Sequence, residues 1–222
     1  MNVQKYVHSD RSELEFINPI VREMLGDVNR RSVVDYGCGG GLFLEELTKL
    51  GAITYGYDIS ALMIEKAKER LGNNTQLKVI ESGNIPLPDN SIDAVVSNFV
   101  LMMCPNKGMI RDVLIDIYRI LRLNGKFLFC ITHPCFIDKS FSTYRNIFTG
   151  DFDYFYEGQG HQFSLINRDG KMVTDESFRD YHYPLETYLN FLTETGFILD
   201  KLKEVKLKEN KYPPYLIVSS TK

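Results

Sequence analysis

The chain has little of what nucleic-acid-binding or membrane proteins carry. Its 26 Lys and Arg against 29 Asp and Glu leave a formal charge of −3. That balance is too even for the basic footprint that binds phosphate backbones or anionic lipid, so neither partner is expected. No apolar run approaches the roughly 20 residues of a membrane span. Met1 to Asp10 lacks the apolar centre of a secretory signal, and a cytoplasmic location is expected. The four cysteines, at 38, 104, 130 and 135, show no paired C-x-x-C spacing. This argues against a zinc site or disulfide framework and for free thiols in a reducing compartment. There is no internal repeat and no low-complexity segment. A length of 222 residues suits one domain, or one domain with an insertion, around a large core.

What is present centres on Ser32-Val33-Val34-Asp35-Tyr36-Gly37-Cys38-Gly39-Gly40-Gly41-Leu42. β-Branched residues lead into an acid, a glycine-dense turn and then an amphipathic run from Phe43 to Leu50. The order reads as strand, tight loop, helix, with glycines letting the backbone approach a ligand. Taken alone, the loop could also be a tight turn in any α/β protein.

Ahead of it, Ser12-Glu13-Leu14-Glu15 has capping-box spacing, and Asn18-Pro19 restarts a helix with Ile20, Val21, Met24 and Leu25 on one side. One or two short helices therefore cap the N-terminus, over residues 1–30. From residue 31 to 133, strand and helix patterns alternate. Strands are expected at Ser32–Asp35, Ile53–Tyr57, Leu77–Ile80, Ile92–Ser97 and Lys126–Ile131. Helices are expected at about Gly41–Leu50, Ala61–Leu71 and Lys107–Leu121. Such alternation implies a parallel sheet covered on both faces. The pattern breaks at His133-Pro134. Residues 134–183 hold 12 of the 27 Phe and Tyr, and within them Asn167-Arg168-Asp169-Gly170 marks a hairpin between Phe163–Ile166 and Lys171–Thr174. A stretch this long without α/β periodicity reads as a functional insertion, here a substrate lid. Residues 184–222 supply a helix at about Leu185–Thr195 and strands at Ile198–Val205 and Tyr215–Ser219. The lysines between those strands read as a solvated face.

Two further stretches carry chemistry. Asp58 ends the second strand, about 20 residues past the loop, where doubly wound folds set an acid against a ribose diol. It could instead cap the next helix, although Ser60 suits that role. Glu81-Ser82-Gly83-Asn84-Ile85, after the third strand, offers an amide for an adenine edge and an apolar side chain for its face. The plainer alternative is a proline-rich surface loop.

In this order the three motifs resemble the class I S-adenosylmethionine-dependent methyltransferases, and most closely their small-molecule, type 11 branch. Leu121-Arg122-Leu123-Asn124-Gly125-Lys126 is similar to that family's L-x-P-G-G turn, with Asn and Lys as departures. The resemblance implies a Rossmann-like seven-stranded sheet of order 3-2-1-4-5-7-6, strand 7 antiparallel. It implies S-adenosylmethionine as cofactor and S-adenosylhomocysteine as product. It places Asp35, Gly37, Gly39 and Gly41 around the methionine part, Asp58 and Ile59 at the ribose, Asn84 and Ile85 at the adenine, and Asn98 near the sulfonium. Tyr6 would close over the cofactor from the cap, or else be a core or surface tyrosine. Asn98 and His133 stand where catechol-type relatives hold a divalent ion, so no metal is expected. Leu42 replaces the third glycine of an NAD fingerprint, which speaks against an oxidoreductase.

Transfer to an oxygen or nitrogen of a small metabolite needs alignment, dehydration and the handling of one proton. His133, just after the fifth strand, is the first candidate base, and His182 the second. Each could instead be structural. His8 and His161 read as surface residues. The aromatic insertion suits an apolar or planar acceptor, or a cation held against aromatic faces. A peptide or protein acceptor and a non-catalytic cofactor-binding module are the alternatives. A monomer or homodimer is expected.

Overall fold

Val33-Val34 and Val95-Val96 lie side by side at the centre of the molecule, all four wholly buried. Strands covered on both faces need such unbroken apolar runs, and that requirement places them innermost in a parallel sheet. A computed structural model describes residues 12–72, 75–167 and 169–222. Helix α1 (Ser12–Leu25) leads into β1 (Ser32–Tyr36), α2 (Leu42–Lys49), β2 (Ile53–Asp58), α3 (Ala61–Leu71), β3 (Gln76–Val79) and β4 (Ile92–Asn98). Then come α4 (Lys107–Ile120), β5 (Leu121–Thr132), β6 (Tyr144–Phe148), β7 (Gln159–Ile166), β8 (Met172–His182), α5 (Leu185–Thr195), β9 (Ile198–Val205) and β10 (Tyr215–Thr221).

Seven strands form one sheet of order β3-β2-β1-β4-β5-β10-β9. The first five are parallel, and β10 runs antiparallel to both β5 and β9. This is the expected Rossmann-like α/β topology, with the last strand inserted antiparallel. Ser60 caps α3 by accepting the Met63 N–H, and Asn106 caps α4 by accepting that of Met109. Helix α4 buries Ile110, Val113, Leu114, Ile117 and Ile120 at helical spacing.

Three expectations needed revision. Helix α1 is continuous, with Pro19 inside it rather than starting a second helix. Ile17, Val21 and Leu25 bury one face across the proline, while Pro19 sits on the exposed face. Strand β5 starts five residues early, at Leu121, because Asn124 takes a left-handed φ of 64° and the chain passes its turn without leaving the sheet. The insertion is more regular than its sequence suggests: β6-β7-β8 form an antiparallel sheet of their own. Asn167 shapes the hairpin, its side chain accepting the N–H groups of Asp169 and Lys171. Tyr144 ties this small sheet to the large one by donating to the Pro214 carbonyl at 2.9 Å, and Tyr183 does the same to Cys104 at 2.8 Å.

The loop after β3 is held by one guanidinium. Arg119, on α4, donates to the carbonyls of Ile85 and Leu87 at 2.8 Å each and to Asp89 and Asp116. Asp116 in turn accepts the Ile85 N–H. The fork spans four acceptors in different directions, which an ammonium cannot reproduce. Arg119→Leu should therefore cost about 2 kcal/mol in urea unfolding, and Arg119→Lys should recover less than half of it.

Candidate functional site

Beyond β1 the chain must turn sharply, and β2 supplies the anchor. The Gly37 and Cys38 N–H groups both donate to the Tyr57 carbonyl, at 2.7 and 3.0 Å. The next donor, Gly39 N–H, reaches Asp58 Oδ2 at 2.9 Å, while Asp58 Oδ1 accepts from Ser60 N–H at 2.8 Å. Both glycines have positive φ, 77° at Gly37 and 51° at Gly39. A Cβ on Gly37 would run into Val100 Cγ2, whereas one on Gly39 would meet nothing within 4 Å. Gly37 is thus fixed by packing as well as by φ, and Gly39 leaves space on its open side.

That space is part of a cavity of about 860 Å³ at the carboxyl ends of β1, β2 and β4. Asp35, Gly37, Gly39, Asp58, Ile59 and Asn98 line it. Gly41, Asn84 and Ile85 do not. Gly41 faces helix α3, where a Cβ would crowd Leu71 and Ala67 at 3.0 and 3.2 Å. Ile85 is buried in the core beneath Arg119, and Asn84 is exposed on the outside of the same turn. Tyr6 and His8 lie outside the described residues.

Sequence reasoning missed Tyr36, Ile80, Ser82, Val100 and Met103, which also line the cavity. Tyr36 accepts the Gly83 N–H at 3.0 Å and pairs with Ser82 Oγ at 3.3 Å, drawing that turn over the cavity two residues earlier than expected. Ile59, which the sequence did point to, is 69% exposed in this lining, a large apolar side chain left uncovered beside a charge.

Two carboxylates share the cavity. Burial, and then the charge of Asp58, push Asp35 up to about 7. Burial also raises Asp58, against which the N–H groups of Ser60, Gly39 and Ile59 stabilise its anion. Cys38 remains a thiol, raised by burial and by both acids. At the far end, Asn98 Oδ1 is buried without a hydrogen-bond partner. Phe99, next to it, holds φ at 60°, a conformation that costs a residue with a Cβ about 1–3 kcal/mol.

The structure does not bring His133 or His182 to this cavity. His133 is 2% exposed, accepts the Cys135 N–H on Nδ1 and meets Glu204 Oε1 through Nε2 at 3.1 Å. Both ring nitrogens are occupied, and burial lowers its pKa although Glu204 opposes the shift. His182 pairs through Nε2 with the Tyr154 carbonyl at 2.8 Å, inside the aromatic cluster of the insertion. His161 is buried, not on the surface, and stacks on Phe148 at 4.7 Å. Among the described residues no group of three or more His, Cys, Asp or Glu is arranged to hold a metal ion.

Residues 34–129 match the family model described as a methyltransferase domain. The chain is 32% identical over 114 residues to the demethylmenaquinone methyltransferase of Tropheryma whipplei, covering 50% of this chain and 46% of that protein. It spans about half the length of that relative. The N-demethylindolmycin N-methyltransferase of Streptomyces griseus is 26% identical over 199 residues, 87% of this chain and 81% of that one. A putative S-adenosylmethionine-dependent methyltransferase from Listeria monocytogenes superposes with a TM-score of 0.70 at 22% identity, over 95% and 99% of the two chains. Another, from Mesorhizobium loti, gives 0.68 at 20% identity over 92% and 96%. These structural likenesses establish the fold.

Asp35 makes a prediction about the ligand-free protein. Its folded pKa of about 7 lies above the ordinary 3.8 of an aspartate, so the folded state holds a proton that the unfolded state releases between those values. The stability this proton linkage provides is full below pH ~4 and is lost as pH rises through ~7. Asp35→Asn, neutral throughout, should raise stability at pH 8 by about 2–4 kcal/mol and change it little at pH 4. Thermal unfolding at the two pH values checks it.

Proposed function

We propose that this chain, whose residues 34–129 match the methyltransferase-domain family, is an S-adenosylmethionine-dependent methyltransferase acting on an oxygen or nitrogen of a small metabolite. The observation that carries the reading is the cavity itself. It has a carboxylate at the end of each of two neighbouring strands, an open backbone at Gly39, and a buried carbonyl oxygen at Asn98 without a partner. These features fit a ligand with a diol, a planar apolar ring and a cationic amino-acid end. The cofactor, when bound, supplies a methyl group already activated on a sulfonium.

The protein's part is binding and alignment. Each oxygen of Asp58 takes one well-formed backbone hydrogen bond, Oδ2 from Gly39 and Oδ1 from Ser60, and keeps acceptor capacity for a ribose hydroxyl. Ile59 and Ile80 provide apolar surface for the adenine, with Ser82 as its polar neighbour, in place of Asn84 and Ile85. Asp35 answers the positive charge of the methionine part. A cation beside it favours its anion, so binding releases the proton Asp35 holds below pH ~7, and affinity falls as the pH is lowered. Asn98 Oδ1 takes a donor or the electropositive sulfonium region. Phe99, Val100 and Met103 exclude water from the transfer end. Neither His133 nor His182 is assigned a proton in this scheme.

The insertion, residues 134–183, forms the acceptor side. The relatives named above are methyltransferases whose names point to small molecules, which supports the same class of acceptor here. No described helix is long and apolar enough to cross a membrane. A cytoplasmic monomer or homodimer without nucleic-acid partners completes the reading.

Calorimetry with S-adenosylmethionine tests it. The wild-type chain should bind at micromolar concentrations, and Asp58→Ala should weaken binding by about 100-fold, the scale of two lost charge-assisted hydrogen bonds. Wild-type protein that is folded and binds no cofactor would sink the proposal. A second titration series from pH 8 to pH 5.5 should show affinity falling, and Asp35→Asn should bind weakly with that slope removed.

A further inference from the structure

A second hollow, of about 30 Å³, lies between the large sheet, helix α1 and the sheet of the insertion. Phe99 and Met103 line both it and the large cavity, so the two share a wall at the transfer end. Met103 is half-buried and unbranched, which makes it the adaptable part of that wall. The polar groups of the hollow are Thr132, Asn146, Glu13 and Asp180. Thr132 is 7% exposed, and its Oγ1 is buried with no partner. Asn146 donates through Nδ2 to the Ile137 carbonyl at 2.8 Å, which fixes its amide and leaves Oδ1 buried and unpaired. Glu13 and Asp180 are 3% and 2% exposed and have further partners in the protein.

An unpaired buried oxygen forfeits its hydration without a replacement, and here two border one hollow. Apart from the Thr132 hydroxyl hydrogen, the polar atoms they present are acceptors. A group that satisfies them must donate. We propose that this hollow is the specificity pocket of the methyl acceptor, and that it takes a nitrogen head rich in N–H donors, an amine or ammonium, carried on an apolar body. The volume agrees: about one water-sized group needs ~10–15 Å³ of such space, so an ammonium fits and a larger polar head does not. The rings of Tyr144, Phe163 and Tyr215 line the remaining wall. Thr132 and Asn146 are positioning residues for the acceptor; neither lines the cofactor cavity.

The inference rests on the methyltransferase reading, and the test separates the two. Protein saturated with S-adenosylhomocysteine is titrated with three probes of similar shape: benzylammonium, benzyl alcohol and ethylbenzene. Affinity should follow the number of donors, with at least tenfold between the first and the last. Thr132→Val and Asn146→Leu should each compress that range to about threefold while S-adenosylhomocysteine binds as in the wild type. A crystal structure of the ternary complex should show the nitrogen within hydrogen-bond distance of Thr132 Oγ1 and Asn146 Oδ1. If the product cofactor fails to bind folded wild-type protein, the function proposed above falls. If it binds but the probes rank equally, or the ranking survives both substitutions, or the hollow holds only a fixed water, the specificity pocket is overturned. Should both variants fail to fold, the wild-type ranking and the ternary structure decide.

Discussion

The bond from Gly39 N–H to Asp58 Oδ2 is the constraint on which the site depends. It ties the glycine turn after β1 to the end of β2, beside the two N–H groups that the Tyr57 carbonyl accepts. The turn is thereby held off the mouth of the cavity. One carboxylate oxygen holds the loop and the other holds the start of α3 through Ser60, so a single side chain sets both edges of the space. The same proximity explains the electrostatics. Asp35 stands at the matching end of the neighbouring strand, and the anion of Asp58 is part of what raises it. An arrangement that stores like charge in a buried place is unfavourable for the empty protein and favourable once a cation arrives.

The alternation of strands and helices was legible because it follows from chemistry that repeats along the chain, whereas the order of the strands within the sheet was legible only through the family resemblance. Runs such as Val33-Val34, Val95-Val96 and Phe127 to Ile131 have to be covered on both faces, and the helices between them carry apolar residues at helical spacing. The position of Asp58 beside the cavity was legible because it ends a strand. Asn84 and Ile85 were misplaced because the turn after β3 is set by contacts distant in sequence. Arg119 pulls Ile85 inward, and Tyr36 fixes Ser82 and Gly83 from another strand. Nothing local to Glu81–Ile85 reveals either. Pro19 misled in the opposite direction: local propensity suggests a break, and burial of Ile17, Val21 and Leu25 overrides it.

The histidines show the same limit in a sharper form. A histidine at the end of a central strand of a doubly wound sheet stands at the right height for catalysis, and His133 does stand there. Which way its ring turns depends on Glu204, from an edge strand reached only 71 residues later. The aromatic insertion was legible as a unit and not as a shape. Its rings serve two ends: Phe148, Phe152, His161 and His182 pack a small core of their own, while Tyr144 and Phe163 reach the hollow beside the large cavity.

That division explains why the chain can afford unpaired oxygens where it has them. Asn98 Oδ1 is at one side of the shared wall, Thr132 Oγ1 and Asn146 Oδ1 are at the other, and the strained Phe99 forms the wall between. In a structural core each would be a defect, to be removed by a substitution as small as Thr to Val. Their gathering around one residue held at positive φ is a different matter, because such strain persists only where the surroundings over-determine it. The Phe99 N–H is fixed by the Cys130 carbonyl at 2.8 Å, and its ring lies edge-on to Tyr215 at 5.4 Å. Two strands thus hold the wall in place while the polar atoms on either side are left without partners. A wall with Phe99 fixed and Met103 free to adapt, set between two incompletely paired pockets, suits a protein that must bring two ligands into line and keep water from between them.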